Sequence, residues 1–442
     1  MLINTHCHIF NLQSVFTSAT ERILKNRLDT SWLADDFAQA IIEKLQSILK
    51  HGPGTTPQDA IKHTFFKKFF AGQDMKLTDP LDITVFISIA FAKNMNALTD
   101  HLMRQMGDED IIVPLMMDIT LGDGSDDTLF KLQRDATLHQ CSRYPGRILP
   151  FYAVNPIRPG AMKRLNEVID QGGFVGVKLY PALGHRIEGY SDRRDDPNAK
   201  ELPGVLDILK RCNECSMPVI QHCSHGGFYA DKSLIHLGDP ECWAPYLFGR
   251  KKPHLDKLRV DFAHFGGREN EIAASIEPAT TSNRSWAQTI LAMMDGSIAG
   301  SGPCNRVYTD LSCLFDAATT KGFFKSLNQH LDHKIYGKQI LWGTDYFLLE
   351  MRVASHNFTH YFRSEIRSKQ HWTDISVNNP QNFLGLNLAN PAQSEKNILN
   401  HVDYLAACGQ PLEMERAAPW IKGLLPPDVK VATHKAFPDD HA

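Results

Sequence analysis

The sequence predicts an α/β protein built as a (β/α)8 TIM barrel, with a helical insertion after the first strand and a C-terminal extension. Two observations carry this. Eight short runs rich in Val, Ile, Leu and Phe recur along the chain, as strands buried on both faces should read. Segments of helical apolar spacing lie between them, the alternation that gives parallel strands with crossover helices. A third observation separates the closed barrel from its alternative, the doubly wound open sheet. Such a sheet wants a Gly-rich phosphate loop after its first strand, and "NTHCHIF" contains no glycine.

The eight strand-like runs are Met1–Cys7, Asp110–Thr120, Arg147–Pro156, Gly173–Pro181, Met217–Cys223, Leu258–Gly267, Asn305–Cys313 and Lys338–Phe347. Helical spacing marks Asp126–Gly146, which stops at Pro-Gly, Gly160–Gly173, which stops at a double glycine, and Gly204–Pro218, which runs into proline. Between the first two strands lie Ser31–Gly54 and Leu81–Gly107, both with helical periodicity. The second of these reads as the barrel's own first helix, so residues 12–79 form the insert. Residues 1–388 then make the barrel and 389–442 the extension, with one helix in Ala392–Cys408.

Composition narrows the function classes. The chain has 442 residues, 43% of them hydrophobic and 22% charged, with a net charge of -3. Nothing in that balance recruits nucleic acid or an anionic membrane, and no apolar run approaches the roughly 20 residues of a membrane span. The chain opens directly on a strand, without the charged and apolar regions of a signal peptide, which predicts a cytoplasmic protein. The nine cysteines are scattered, as reduced thiols are. Cys212 and Cys215 have zinc or redox spacing, but no second pair accompanies them, so they read as ordinary thiols at a helix end.

Polar residues collect where the apolar runs give way to loops. His6 and His8 end the first run, Lys178 the fourth, His222 the fifth, His264 the sixth and Asp345 the eighth. On a strand, alternate side chains share a face, so His6 and His8 point the same way, roughly 6–7 Å apart at their backbones. Alone, His-x-His is as readily two unrelated histidines. Five His or Asp residues at the C-terminal ends of different strands, the face on which barrels build active sites, point instead to a divalent metal.

At this point the chain resembles the amidohydrolase superfamily, and within it the amidohydrolase-2 branch typified by aminocarboxymuconate-semialdehyde decarboxylase. The motifs that carry the resemblance are "NTHCHIF", "GVKLYP", "PVIQHC", "AHFGG", "VYTDLS" and "LWGTDYF" followed by "NNPQNFLGL". They span Met1 to about Leu388. The long insert, the extension, and Asn4 where the branch often has Asp depart from the pattern. The resemblance implies that His6, His8, His222 and Asp345 hold one divalent ion, most often zinc, with water in the open position. It also implies that His264 hydrogen-bonds that water or the substrate. Asp345 and His264 are thus the expected catalytic pair, Asp345 as proton acceptor while ligating.

The expected activity is hydrolysis of a small carbonyl or carboxylate substrate through a metal-activated water. Two alternatives stand beside it: nonoxidative decarboxylation with the same ligands, and an inactive barrel serving as a binding protein. Lys178, Arg186 and His225 are candidates to meet the substrate, Arg186 because guanidinium pairs bidentately with carboxylate; Arg268 could meet an anionic substrate on the same ground. A carboxylated Lys178 bridging a second metal is the alternative for that lysine. Asp310 reads as orienting a neighbour rather than ligating, and Trp243 as core. A small molecule bearing a carboxylate is the expected partner, without nucleic acid or membrane, and a homodimer is consistent with the resembling branch.

Overall fold

The computed structural model describes residues 1–10, 95–119, 127–187, 204–226, 229, 232–277, 283–346 and 355–432. The insert expected at 12–79 lies outside the described residues, as does the first part of the helix expected in Leu81–Gly107. Its last part is α1, Met95–Arg104. All eight expected strands form. They are β1 (Ile3–Cys7), β2 (Ile111–Pro114), β3 (Phe151–Ala153), β4 (Gly176–Leu179), β5 (Val219–Gln221), β6 (Val260–Phe262), β7 (Val307–Asp310) and β8 (Ile340–Leu341). Three of the expected helices follow as α2 (Asp127–Arg143), α3 (Ala161–Gln171) and α4 (Val205–Glu214). Beyond β6 come α5 (Trp286–Met294), α6 (Phe323–Asp332), α7 (Ser355–Glu365) and α8 (Lys396–Ala407).

Every strand pair is parallel. β1 pairs β2 with Ile3 opposite Ile111, and β3 through β8 pair in chain order. Bridges Ile112–Ile148 and Leu115–Phe151 join β2 to β3, and Cys7–Tyr346 joins the end of β8 to β1. Backbone bonds from Thr5 N to Trp342 O (2.9 Å) and Thr344 N to His6 O (3.1 Å) complete that seam. The ring of eight is therefore closed, and no central strand keeps an edge to solvent.

The ladders are shorter than the apolar runs that announced them. Ile148 and Leu149 are fully buried yet lie ahead of β3, because burial continues where hydrogen bonding to the next strand has not begun. At the other end the backbone leaves the sheet abruptly. His264 (φ 63°), Phe265 (φ 49°), Cys313 (φ 60°) and Asp345 (φ 60°) all adopt the left-handed region, which costs a non-glycine residue about 1–2 kcal/mol. All four sit at the C-terminal mouth, after β6, β7 and β8.

The extension is part of the barrel's own core. On α8, Ile398, Val402 and Leu405 are buried in one cluster with Ile3, Ile111, Leu149, Phe151, Trp420 and Ile421. Asn397 donates to Val175 O (2.8 Å) and Leu384 O (3.0 Å), and Trp420 Nε1 donates to Gly146 O (2.9 Å). Gly172, the left-handed cap of α3 (φ 84°), lies so close to α8 that a Cβ there would stand 2.6 Å from Asn400 O. A polar-looking tail thus seals the floor opposite the mouth. Residues 433–442 lie outside the described residues.

That floor is acid-sensitive. The buried His401 donates from Nδ1 to Gly173 O (2.8 Å), and burial pushes its imidazole down from 6.5 to about 4. Its folded pKa is below its unfolded one, so between these values the unfolded chain binds a proton that the folded chain does not. Stability is complete above pH 6.5 and falls as pH drops toward 4, by about 1.4 kcal/mol per unit for one such group. Denaturant titrations from pH 7 to 4 should show this slope, and His401→Gln should flatten it by up to one proton. An unchanged slope in that variant would assign the acid sensitivity to other groups.

Candidate metal centre

His6 and His8, on and just after β1, point into the barrel mouth and are buried. Asp345, just past β8, faces them: His8 Nε2 lies 3.1 Å and His6 Nε2 3.6 Å from its Oδ1. Ligand atoms of His6, His8 and Asp345 all lie within 4.8 Å of one another. Two further groups of the same size are His6, His264 and Asp310, and His264, Cys313 and Asp345. Covalent neighbours hold the frame: Asn4 accepts from Thr344 N (3.1 Å) and donates to Thr344 Oγ1 (2.8 Å), which ties β1 to the loop carrying Asp345.

Counting protons shows what the cluster lacks. His8 Nδ1 lies 2.9 Å from Leu115 O, a carbonyl that only accepts, so His8 carries its proton there and Nε2 is bare. His6 Nδ1 donates to Asp310 Oδ2 (2.7 Å), which leaves His6 Nε2 bare as well. Asp310 Oδ1 accepts the single Ser312 hydroxyl proton. Ser312 Oγ (2.8 Å) and Ser312 O (3.3 Å) must therefore both accept from His264 Nδ1. His222 Nε2 donates to Gly226 O (3.1 Å). The inward atoms of this last pair, His264 Nε2 and His222 Nδ1, then face each other as lone pairs 3.1 Å apart.

The bare nitrogens of His6 and His8 thus converge on a carboxylate oxygen, with the His264–His222 pair beside them and the donors of all four rings spent on outer partners. Asp345 Oδ1 itself has no hydrogen-bond partner although it is buried. An unpaired buried carboxylate oxygen is costly, and a cation is what relieves it. The donor set, neutral imidazole nitrogens with a carboxylate, fits a borderline divalent metal such as zinc.

The electrostatics agree. Burial pushes the His6 imidazole down to about 3, and burial also lowers His222 and His264, so all three are neutral and ligand-ready at pH 7. Burial alone would raise Asp345 and Asp310. At Asp310 the donors from His6 and Ser312 outweigh it and hold that carboxylate well below the usual range. Lys178 is buried on β4 and its Nζ lacks a hydrogen-bond partner. Burial lowers it to about 8 against the pull of Asp310, Asp345 and Asp261. Burial and the Asp310 charge raise Asp261 on β6 well above the usual carboxylate range.

The sequence-derived candidates therefore fall into three groups. His6, His8 and Asp345 meet directly, and His264 stands against His6 with ring centroids 4.8 Å apart. His222, expected as a ligand, belongs to none of the three compact groups and reaches them through His264, while Tyr180 stacks on its other face at 4.1 Å. His225 and Arg268 are engaged away from the lone pairs. His225 stacks on Trp286 at 4.0 Å and lies 3.6 Å from Glu271, and Arg268 lies 3.6 Å from the same carboxylate. Arg186 is half-buried in the loop after β4. Trp243 is core and donates to Gln221 Oε1 (2.7 Å), Cys212 is buried, and Cys215 caps α4.

Sequence reasoning missed Ser312, Cys313, Tyr180 and Asp261. "VYTDLSC" carries no spacing that marks its last two residues, because the left-handed turn at Cys313 decides where they point. Asp261 was findable, since a charged residue inside a run such as "LRVDF" has to face the barrel axis or find a partner.

The sequence profile of the amidohydrolase family matches residues 125–386, more than half of the chain. The match begins beyond His6 and His8 and includes Lys178, His222, His264, Asp310 and Asp345. Comparison with curated proteins gives no match. Among solved structures, 2,6-dihydroxybenzoate decarboxylase from Rhizobium is similar with a TM-score of 0.43 and 14% identity, over 64% of this chain and 87% of that one. A dihydroxybenzoic acid decarboxylase from Polaromonas sp. JS666, with bound manganese and the inhibitor 2-nitroresorcinol, gives 0.44 and 15%, over 68% and 92%. A putative 2-pyrone-4,6-dicarboxylic acid hydrolase from Pseudomonas putida gives 0.39 and 14%, over 65% and 87%. These structural likenesses carry no argument about the reaction. The family assignment rests on the profile, and by it this chain, a closed barrel with histidines and aspartates at its mouth, belongs to the amidohydrolase family.

Proposed function

We propose that this protein is a metal-dependent hydrolase of a small carbonyl substrate, one that carries a carboxylate. His6, His8 and Asp345 hold one divalent ion, zinc by preference, with His264 beside it and His222 completing the set as its ring pairs or parts from His264. The observation that carries this reading is the convergence of bare nitrogens on the unpartnered Asp345 Oδ1. A divalent ion bound there supplies Lewis acidity, polarising a carbonyl oxygen and bringing the pKa of water toward about 7.

The chain's own residues do the rest. Asp345, held ionised, accepts a proton from the attacking water at a carboxylate oxygen. His264 Nε2 takes up or returns that proton at the leaving group, and Ser312 keeps its ring in place through Nδ1. Asp310 fixes the His6 tautomer. The His264–His222 contact gives a proton a second imidazole to rest on. Lys178 on β4 and Arg186 in the loop after it are the cations we assign to a substrate carboxylate.

Product analysis in 18O-labelled water tests the reaction type. The metal-loaded protein is screened against carboxylated lactones, amides and phenolic acids. Label entering the product without CO2 release is the expected result. CO2 release without label would replace hydrolysis by decarboxylation, which uses the same ligands. Failure to hold any divalent metal after supplementation would favour a binding protein. A content of about two equivalents that falls to one in Lys178→Met would point to a carboxylated Lys178 between two ions.

A further inference from the structure

We propose that Cys313 is a metal ligand: with His264 and Asp345 it forms a sulfur-containing cation position that shares Asp345 with the His6–His8–Asp345 group. The inference rests on the metal-site reading above and extends it to a residue that neither the sequence pattern nor the family match assigns. Three observations carry it.

The first is distance. Ligand atoms of His264, Cys313 and Asp345 all lie within 4.8 Å of one another, the spacing that one ion at about 2.0–2.3 Å from each donor can span. The second is the buried Asp345 carboxylate common to both groups, whose Oδ1 lacks a hydrogen-bond partner. The third is backbone strain. Five non-glycine residues among those described have positive φ, and three of them are His264, Cys313 and Asp345. Each comes from a different strand end, and each bears the cost of the left-handed region to turn its side chain inward. Strain of this kind persists where the surroundings over-determine it, and it gathers at functional sites. Ordinary core packing gives no reason for the same three residues to be both strained and mutually adjacent.

The chemistry is consistent. Without a cation, burial and the neighbouring Asp345 carboxylate push the Cys313 thiol well up, so it is protonated. When a divalent ion binds, the S–H bond breaks, its proton passes to solvent, and the sulfur lone pair forms the bond to the ion; no oxidant or reductant is involved. A thiolate in the shell tilts selection toward zinc, cobalt and cadmium and away from manganese, which prefers oxygen ligands. Cys313 is half-buried.

Cobalt substitution tests the assignment without reference to turnover. The full-length protein is stripped of metal and titrated with Co2+ while its absorption spectrum is followed. The expected result is a near-ultraviolet thiolate-to-cobalt charge-transfer band that grows with the bound metal. Cys313→Ser should lose that band while still binding cobalt through His6, His8 and Asp345, with visible ligand-field absorption intact. Cobalt bound by the unaltered protein without the band, or a band that survives in Cys313→Ser because Cys212 and Cys215 supply it, would overturn the proposal and leave the histidine–aspartate site standing. No cobalt binding by the unaltered protein would overturn both. A second measurement needs no variant: adding zinc should change the alkylation rate of Cys313, mapped by mass spectrometry, by at least about tenfold, because coordination exchanges the sulfur's proton for the ion. Equal labelling with and without zinc would also overturn the assignment.

Discussion

Asp345→Asn is expected to yield a folded protein that has lost its metal and, with it, turnover by about 10²–10⁴-fold. The carboxylate supplies the charge at the point where His6 Nε2 and His8 Nε2 converge. An amide at this position is neutral and carries N–H donors. Those donors can turn toward the bare imidazole nitrogens and hydrogen-bond them, which satisfies the cluster without a cation. The same substitution therefore removes the reason for binding metal and supplies a substitute for it. Elemental analysis, turnover and thermal midpoint measured together check the prediction: metal and activity fall while the midpoint holds or rises relative to the metal-stripped parent. Retention of a full equivalent of metal in this variant would remove Asp345 from the site.

Asp310→Asn is expected to weaken metal binding by about 10–100-fold although Asp310 is placed as an orienting group and not as a ligand. The reason lies in the number of donors it accepts. Oδ1 receives His264 N (3.0 Å), Ser312 N (2.9 Å) and the Ser312 hydroxyl, while Oδ2 receives His6 Nδ1 (2.7 Å). An amide has one oxygen, and three donors claim it on the Oδ1 side, so the NH2 group must face His6. His6 Nδ1 then becomes an acceptor, its proton moves to Nε2, and the nitrogen that should bind the ion becomes a donor toward Asp345. Metal titration of the variant beside Asp310→Ala separates this from mere loss of packing. The alanine variant leaves the His6 tautomer free and should bind metal better than the asparagine one. The reverse order would contradict the tautomer argument.

The positions of His6, His8, His264 and Asp345 could be read from the chain because two local rules place them. Side chains alternate along a strand, and a strand end in a parallel barrel lies at the mouth whatever the fold does elsewhere. Asp310 was readable as an orienting group for the same reason. His222 shows the limit of those rules. Its strand end is right, but which neighbour its ring meets depends on the stacking of Tyr180 and on the Gly226 carbonyl, both set by the loop after β5. His225, read as a substrate contact, stacks on Trp286 of α5, a neighbour no local rule names.

The extension makes the same point on the opposite face. Its polar average hides Ile398, Val402 and Leu405, an apolar stripe one helix wide, whose destination no local pattern names.

What the sequence determined by itself was the alternation of buried strands and amphipathic helices, and the chemical identity of the groups at each strand end. Both follow from periodicity, which is a property of neighbours along the chain. Ring closure, the sealing of the floor by α8, the outward commitment of every imidazole proton, and the inward turn of Cys313 were decided only in three dimensions. Each depends on contacts between residues far apart in the polymer, and on a backbone strain that is tolerated because those contacts hold it in place.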